Sequence, residues 1–225
     1  MRRRTFLTAL GATGAVSLGA TTVPTALAQS NDAIDSLVFD STASILDVDE
    51  EPLTGTRAEE LVSVWAEPTA FNVDEDGDDD AVDYPEDVAI PLVASAGGVV
   101  GLGAPIGQDD TDFGYGNEEF LLNVLDEEVG GGTVLFDEGH GQFYDADSFG
   151  AFNDYAEANG YDVTPTSDLV AELADADAAI VTSPSEAFTD DELAAVTEFV
   201  DGGGTLLLFS QSDFGNFDAT DNINA

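Results

Sequence analysis

Short apolar strands and amphipathic helices alternate along the second half of the chain, and this alternation constrains the fold more than any other feature. Residues 133–136 are apolar and β-rich throughout, which is the pattern of a strand buried on both faces. Residues 178–182 and 205–209 have the same pattern, and helical patterns lie between these strands. Strands that alternate with helices at this spacing form a parallel sheet with right-handed crossovers. We therefore predict an α/β fold with a doubly wound, flavodoxin-like parallel sheet.

Sequence signals at the ends of the helices support this prediction. The helix that begins near residue 117 carries apolar residues on one face and ends at the glycines of 130–132. Thr189 and Glu192 have the spacing of a capping box, in which two side chains satisfy the first turn of a helix. The remaining predicted elements are a helix around 149–155, a strand at 161–163 and a helix at 168–173.

The chain before the parallel sheet is predicted to be a small β-rich, acidic region over residues 29–87, followed by the α/β domain at 88–225. Residues 88–94 and 98–102 predict two strands joined as a hairpin. Within the first region, turn-forming Asp, Pro and Gly residues separate three apolar β segments, at 37–39, 44–46 and 61–65.

The first 28 residues have the three parts of an export signal. Arg2, Arg3 and Arg4 precede an apolar stretch, and residues 26–28 (Ala-Leu-Ala) form an A-x-A-like cleavage site. The arginines followed by Thr-Phe-Leu resemble the twin-arginine signal, which the twin-arginine export machinery reads to carry folded proteins across a membrane. The apolar stretch is short and interrupted, which disfavours a membrane anchor. We therefore predict a secreted protein without a stable membrane span after cleavage.

The charge balance is strongly acidic. The formal net charge is −43, from 47 acidic residues against 4 basic ones, and Arg57 is the only basic residue outside the predicted signal. Such self-repulsion destabilises a compact state at low salt, whereas molar salt shortens the screening length to about 3 Å. The acidic residues are interleaved with apolar ones, which is typical of halophilic proteins, and the charge disfavours nucleic acid as a partner at low salt. The chain has no cysteine, which excludes disulfides, thiolate metal sites and cysteine nucleophiles.

A candidate site follows the strand at 133–136. Asp137, Glu138 and His140, the only histidine of the chain, come directly after it. Ligands of open α/β sheets lie beyond the carboxyl ends of the strands, so these residues are candidates for a catalytic acid/base pair or a divalent-metal site. The alternative is structural, because the flanking glycines let the loop turn while the imidazole makes a hydrogen bond that holds it. Candidate ligand-binding residues near the same edge are Gly139, Gly141, Gln142, Ser183 and Ser210.

A serine hydrolase would need His140 as its base. Ser183 and Ser210 end their predicted strands, but neither lies in the G-x-S-x-G pattern of a nucleophile elbow.

An acidic loop between residues 72 and 83 follows the spacing of a calcium loop. The predicted Ca²⁺ ligands are Asn72, Asp74, Asp76, Asp78, Asp80 and Asp83. Asn in the first position, Asp in the last and nearby prolines depart from the helix–loop–helix pattern. The alternative is a solvated loop of a halophilic protein.

Four segments carry a family resemblance: residues 116–123 (GNEEFLLN), 134–140 (VLFDEGH), 176–184 (ADAAIVTSP) and 199–208 (FVDGGGTLLL). They resemble the class I glutamine-amidotransferase-like superfamily, and in particular an uncharacterised branch of exported haloarchaeal proteins. The resemblance covers roughly residues 88–225. Catalytic members of the superfamily use a cysteine nucleophile activated by a histidine and an acid. This chain has no cysteine and His140 follows a different strand, so the resemblance implies the fold without glutamine amidotransfer.

Three functions remain open at the level of the sequence. The leading expectation is an exported, halophilic, non-catalytic amidotransferase-like module that binds an extracellular ligand or protein. Residues 218–225 resemble a helix cut off after one turn, so we expect this chain to be the N-terminal part of a larger protein. The alternative is an exported hydrolase, for example of nuclease type, with its site at Asp137, Glu138 and His140 or in a further C-terminal domain. The third is an extracellular structural protein held by calcium.

Overall fold

A computed structural model describes residues 34–49, 51–73, 82–85, 88–109, 115–212 and 222–223. Seven strands in these ranges form one sheet. They are β1 (Val62–Trp65), β2 (Pro91–Ala96), β3 (Val99–Leu102), β4 (Gly132–Asp137), β5 (Tyr161–Thr166), β6 (Ala178–Val181) and β7 (Thr205–Phe209). Their spatial order is β1-β2-β3-β7-β6-β4-β5.

Helices connect the parallel strands. They are α1 (Gly55–Leu61), α2 (Asn117–Glu128), α3 (Gly150–Ala158), α4 (Leu169–Glu172) and α5 (Asp190–Asp201), with 3-10 turns at Ala146–Phe149 and Leu173–Asp175. None of the helices in the described ranges has the length and apolar character needed to cross a membrane.

The sheet is parallel from β3 to β5 and antiparallel at the other edge, where β1 pairs with β2 and β2 with β3. From β4 the chain goes outward to β5 and then returns to β6 on the opposite side of β4. This order, β5-β4-β6-β7, is the flavodoxin-like order of a doubly wound sheet, and its switch point lies between β4 and β6. The predicted fold class is confirmed.

The sheet has a hydrophobic core on each face. Ala178 and Ile180 of β6 pack in the cluster that contains α2 and α3, whereas Ala179 and Val181 pack on the opposite face with α4 and α5. This alternation follows from the two-residue period of a strand. Because both faces are covered, the strands at the centre of the sheet are apolar along their whole length, as the sequence indicates.

The predictions for the α/β part are confirmed closely. The predicted strand at 133–136 is β4, the hairpin is β2 and β3, and the helix beginning at Asn117 is α2. The capping box is also present, since Thr189 Oγ1 accepts from the N–H of Glu192 while the Glu192 carboxylate accepts from the N–H of Thr189.

The region before residue 88 matches its prediction in part, since the predicted segment 61–65 is strand β1, whereas the other two segments differ. Residues 37–39 form no strand, because the backbone of Val38 bonds to a side chain: its N–H donates to Asn117 Oδ1 (3.0 Å) and its carbonyl accepts from Asn117 Nδ2 (2.9 Å). Of the segment 44–46, only Leu46 forms a β-bridge, with Pro52. The helix α1 was not predicted, and it leads directly into β1, which joins the sheet of the α/β domain. The predicted export signal lies outside the described residues.

Candidate functional site

The loop after β4 lies at the switch point of the sheet. Asp137 is the last residue of β4, and the adjoining strand β6 ends at Val181. The loop and the segment that follows β6 are joined by backbone hydrogen bonds, from Phe143 N–H to the Ser183 carbonyl (2.9 Å) and from Glu186 N–H to the His140 carbonyl (3.0 Å). The predicted site is therefore part of the folded edge of the sheet.

The carboxylate of Asp137 organises this loop. Asp137 is completely buried, and three donors point at it. Its Oδ1 accepts from the N–H of Gly139 (2.9 Å), and its Oδ2 accepts from His140 Nδ1 (2.8 Å) and Gln142 Nε2 (2.6 Å). A carboxylate can only accept, so Nδ1 carries the hydrogen of this bond. Burial of the charge is compensated because its hydrogen-bonding capacity is used.

The imidazole of His140 is enclosed on its other sides. His140 is only 9% exposed. Its Nε2 lies 3.4 Å from Oε1 of Glu192, and its ring stacks on Phe188 with 3.8 Å between ring centroids and 26° between planes. The histidine therefore connects the tip of β4 with the beginning of α5.

The two carboxylate oxygens of Glu192 contact different partners. Its Oε2 closes the capping box with Thr189, whereas Oε1 faces His140. Hydrogen bonds from the backbone N–H and the hydroxyl of Thr189, and more weakly the nearby His140, hold the pKa of Glu192 below its ordinary value against a smaller opposing effect of burial. The residue is therefore favoured as a carboxylate at this position.

Gln142 links the loop to β6. Its amide nitrogen donates to Asp137, and its amide oxygen accepts from Thr182 Oγ1 (3.0 Å). Thr182 Oγ1 also lies 2.7 Å from the carbonyl of Tyr144. Thr182 and Asp137 are both fully buried, so this chain of hydrogen bonds runs across the switch point inside the protein.

Two glycines permit the tight loop. Gly141 has φ +60°, a left-handed conformation that favours glycine, and a Cβ there would meet the hydroxyl of Ser185. A Cβ on Gly139 would lie 2.7 Å from the Ser167 carbonyl. The predicted ligand-binding glycines therefore have a clear conformational role.

The side chains of three predicted site residues make no hydrogen bond to this network in the described structure. Glu138 is exposed, and its Oε1 accepts from the N–H of Ala146 (3.1 Å). Ser183 is buried, and its hydroxyl has no hydrogen-bond partner among the described residues. Ser210 follows β7, where its N–H donates to the Leu102 carbonyl (2.8 Å).

The predicted calcium ligands lie mostly outside the described residues, namely Asp74, Asp76, Asp78 and Asp80. Of the two that are described, Asn72 donates through Nδ2 to the Val82 carbonyl (3.0 Å), and Asp83 is exposed. In the part of the chain that the structure describes, no group of three or more His, Asp or Glu side chains is arranged to hold a metal ion.

The sequence analysis did not assign Phe188 and Thr182 to the site, and it assigned Glu192 only to a helix cap. A capping glutamate uses one carboxylate oxygen for the cap, and its second oxygen remains available for another partner. This was the only feature of the sequence that could have indicated a contact between Glu192 and the site. Nothing in the local sequence indicates that Phe188 stacks on His140, because this contact depends on how α5 returns to the sheet.

The geometry has one clear chemical consequence. A general base needs a ring nitrogen within reach of a reacting proton. Here Nδ1 of His140 is bonded to Asp137, and Nε2 faces a second carboxylate in a nearly closed environment. The imidazole is placed to connect two segments of the protein.

Residues 144–224 match the family model of a domain of unknown function, DUF4350. The match covers a little over a third of the chain, from just after the His140 loop to beyond β7. It includes Phe188 and Glu192 but neither Asp137 nor His140. No curated protein and no solved structure matches the chain.

Proposed function

We propose that this chain is a non-catalytic binding module with an amidotransferase-like fold, exported in the folded state and adapted to high salt. The observation that carries the proposal is the enclosure of His140, whose ring nitrogens both face carboxylates. A domain that keeps the sheet of an enzyme family without a cysteine, and whose only histidine is used in a structural contact, is suited to bind a ligand or protein without transforming it.

The acidic composition supports a saline, extracellular setting. With a formal charge of −43 and one basic residue beyond the predicted signal, the fold repels itself unless salt screens it. We expect the free energy of unfolding to rise steeply up to about molar salt, where the screening length approaches about 3 Å. The twin-arginine route fits this proposal because it exports folded proteins.

The experiment is a turnover assay in about molar salt. Wild-type protein and His140→Asn are assayed with p-nitrophenyl esters, p-nitrophenyl glycosides and single- and double-stranded DNA, each with and without divalent cations. The proposal predicts rates equal to the buffer blank for both proteins. Turnover by the wild type that His140→Asn abolishes, in a variant that circular dichroism finds folded, would contradict it.

An exported hydrolase remains the second candidate because of one observation. Asp137 fixes the tautomer of His140 through Nδ1, which is how an acid orients a catalytic histidine. If this reading is correct, Glu192 covers Nε2 only in the resting state. Glu192→Gln would then increase turnover, whereas the binding proposal predicts that this variant is as inactive as the wild type.

A further inference from the structure

A groove of about 340 Å³ opens between α5 and the sheet, on the face opposite to α2 and α3. Its walls are mostly apolar. Val181, Leu206 and Leu208 line it from the strands, and Leu193, Val196 and Val200 line it from the helix. Asn222 and Ile223 also line it, and its volume lies within the range of small-molecule pockets.

Contacts at both ends of α5 fix its position beside the groove. At the beginning of the helix, Glu192 faces His140, and Phe188 stacks on the same ring. At the other end, a Cβ on Gly204 would collide with the ring of Phe199, and one on Gly98 would lie 3.2 Å from Val200. Glycine at these two positions therefore allows the last turn of α5 to approach the strands closely.

Among the described residues, the middle of the helix is only partly covered, although Ala195 and Val196 pack against the core of this face. None of the twelve residues of α5 is buried, although Leu193, Val196 and Val200 form an apolar stripe on one side. A groove whose helix is fixed at both ends needs less free energy from a ligand to order its site.

The polar groups at the groove favour one kind of occupant. The carboxylate of Asp201 is exposed at the end of α5, and the hydroxyl of Thr197 donates to the Leu193 carbonyl, so it offers an acceptor to a ligand. The whole chain carries 47 acidic residues against 4 basic ones. An apolar molecule with a positive charge or a hydrogen-bond donor at one end matches this surface, and an anion does not.

We propose that the groove between α5 and the sheet binds a small apolar molecule that is neutral or carries a positive charge at one end. The inference names the ligand class for the binding function proposed above and rests on that function. Phe188 lines the groove and also stacks on His140, so an occupied groove would reinforce the contact between α5 and the β4 loop.

The test uses three probes with the same eight-carbon chain: octylamine, octanol and octanoate, each below its aggregation concentration and titrated by calorimetry in about molar salt. We expect saturable binding of the amine and the alcohol. We expect octanoate to bind about two- to fivefold more weakly than octylamine, since the contact with Asp201 is exposed and contributes little.

Two variants localise the binding. Val196→Trp fills the groove and should weaken octylamine binding at least tenfold, whereas the matched control Val170→Trp, at a partly exposed position on α4 outside the groove, should leave it unchanged. Asp201→Asn lies on the surface and leaves the fold intact. It should bring the affinities for octylamine and octanoate close together.

The inference is overturned if no probe binds saturably to folded wild-type protein, or if Val196→Trp binds octylamine as the wild type does. It is also overturned if the wild type forms a dimer that Val196→Trp dissociates while no probe binds, because a second copy would then occupy the groove. None of these outcomes changes the result expected in the turnover assay, so a failure of this inference can be distinguished from a failure of the proposed function. Conversely, turnover in that assay would contradict the non-catalytic function without changing probe binding.

Discussion

The helices α2 and α5 have the same length but are used in different ways. Each has twelve residues and an apolar side facing the sheet. Six residues of α2 are buried, and the five apolar ones pack with Phe149, Phe152 and Phe209 in a continuous core. No residue of α5 is buried, and a groove opens between this helix and the strands.

The difference indicates that the two faces of the sheet have different roles, one in stability and the other in binding. The closed face, defined by α2 and α3, buries the large aromatic side chains and supplies most of the hydrophobic stabilisation. The open face, defined by α5 and the groove, leaves apolar surface in contact with solvent. The His140 loop lies at the carboxyl edge between them and fixes where α5 begins.

The largest expected loss of stability comes from a substitution in the core of the closed face. Phe152 is completely buried and packs in the α2–α3 core. Phe152→Ala should lower the free energy of unfolding by about 3–5 kcal/mol because it leaves a cavity that the surrounding side chains cannot fill. Denaturant unfolding in about molar salt measures this loss, and a loss below about 1 kcal/mol would mean that the face is not closed.

The next effect tests the edge between the faces. Asp137→Ala removes the acceptor of three hydrogen bonds and leaves the buried donor of His140 and the partly buried donor of Gln142 unpaired. We expect a loss of about 2–3 kcal/mol in the same assay. Glu138→Ala is the control, since Glu138 is exposed and outside this network. Equal losses from the two variants would contradict the structural role of Asp137.

A matched pair of substitutions compares the two helices directly. Val124→Ala on α2 removes methyl groups from a buried position and should cost about 1.5–2.5 kcal/mol. Val196→Ala on α5 removes the same groups from the partly exposed groove wall, where less burial is lost. The gain in helix propensity, which both substitutions share, offsets most of this smaller loss, so we expect about 0.5 kcal/mol or less. A larger cost at Val196 than at Val124 would reverse the assignment of the faces.

A further, smaller effect than that of Val124→Ala concerns the beginning of α5 and its pH dependence. Thr189→Ala removes the cap and should cost about 1 kcal/mol at neutral pH. Hydrogen bonds from Thr189 lower the pKa of Glu192 in the folded state, so this contribution is present above the ordinary pKa of a glutamate. It is lost as the pH falls through the lowered pKa.

The difference between wild type and Thr189→Ala should therefore shrink on acidification. Thr197→Ala, in the middle of the same helix, serves as the control because its hydroxyl bonds only to the preceding turn. If the difference in free energy of unfolding between wild type and Thr189→Ala grew at low pH, it would contradict the lowered pKa of Glu192 in the folded state.

The sequence predicts the central strands well because burial on both faces requires apolar residues throughout. For this reason β4, β6 and β7 lie within about one residue of their predicted positions. The short α1 and the segment around Val38 were mispredicted. The backbone of Val38 is satisfied by the side chain of Asn117, a partner distant in sequence that no local pattern records.

The candidate site was predicted in part. Asp137, Gly139, His140 and Gln142 are close in sequence, and the structure brings them together. Glu192 and Phe188 reach His140 only because α5 returns beside β4, which depends on the strand order at the switch point. The open groove could not be predicted, since an amphipathic pattern does not tell how closely a helix approaches its sheet.

The most direct test of the difference between the faces is a methyl NMR titration of the protein with octylamine in about molar salt. We predict saturable shifts for the methyl groups of Val196, Val200 and Leu208 on the open face, and none for those of Leu121, Leu125 and Val134 in the closed core. Shifts confined to the α2 side, or equal on both faces, would contradict the assignment of a closed and an open face.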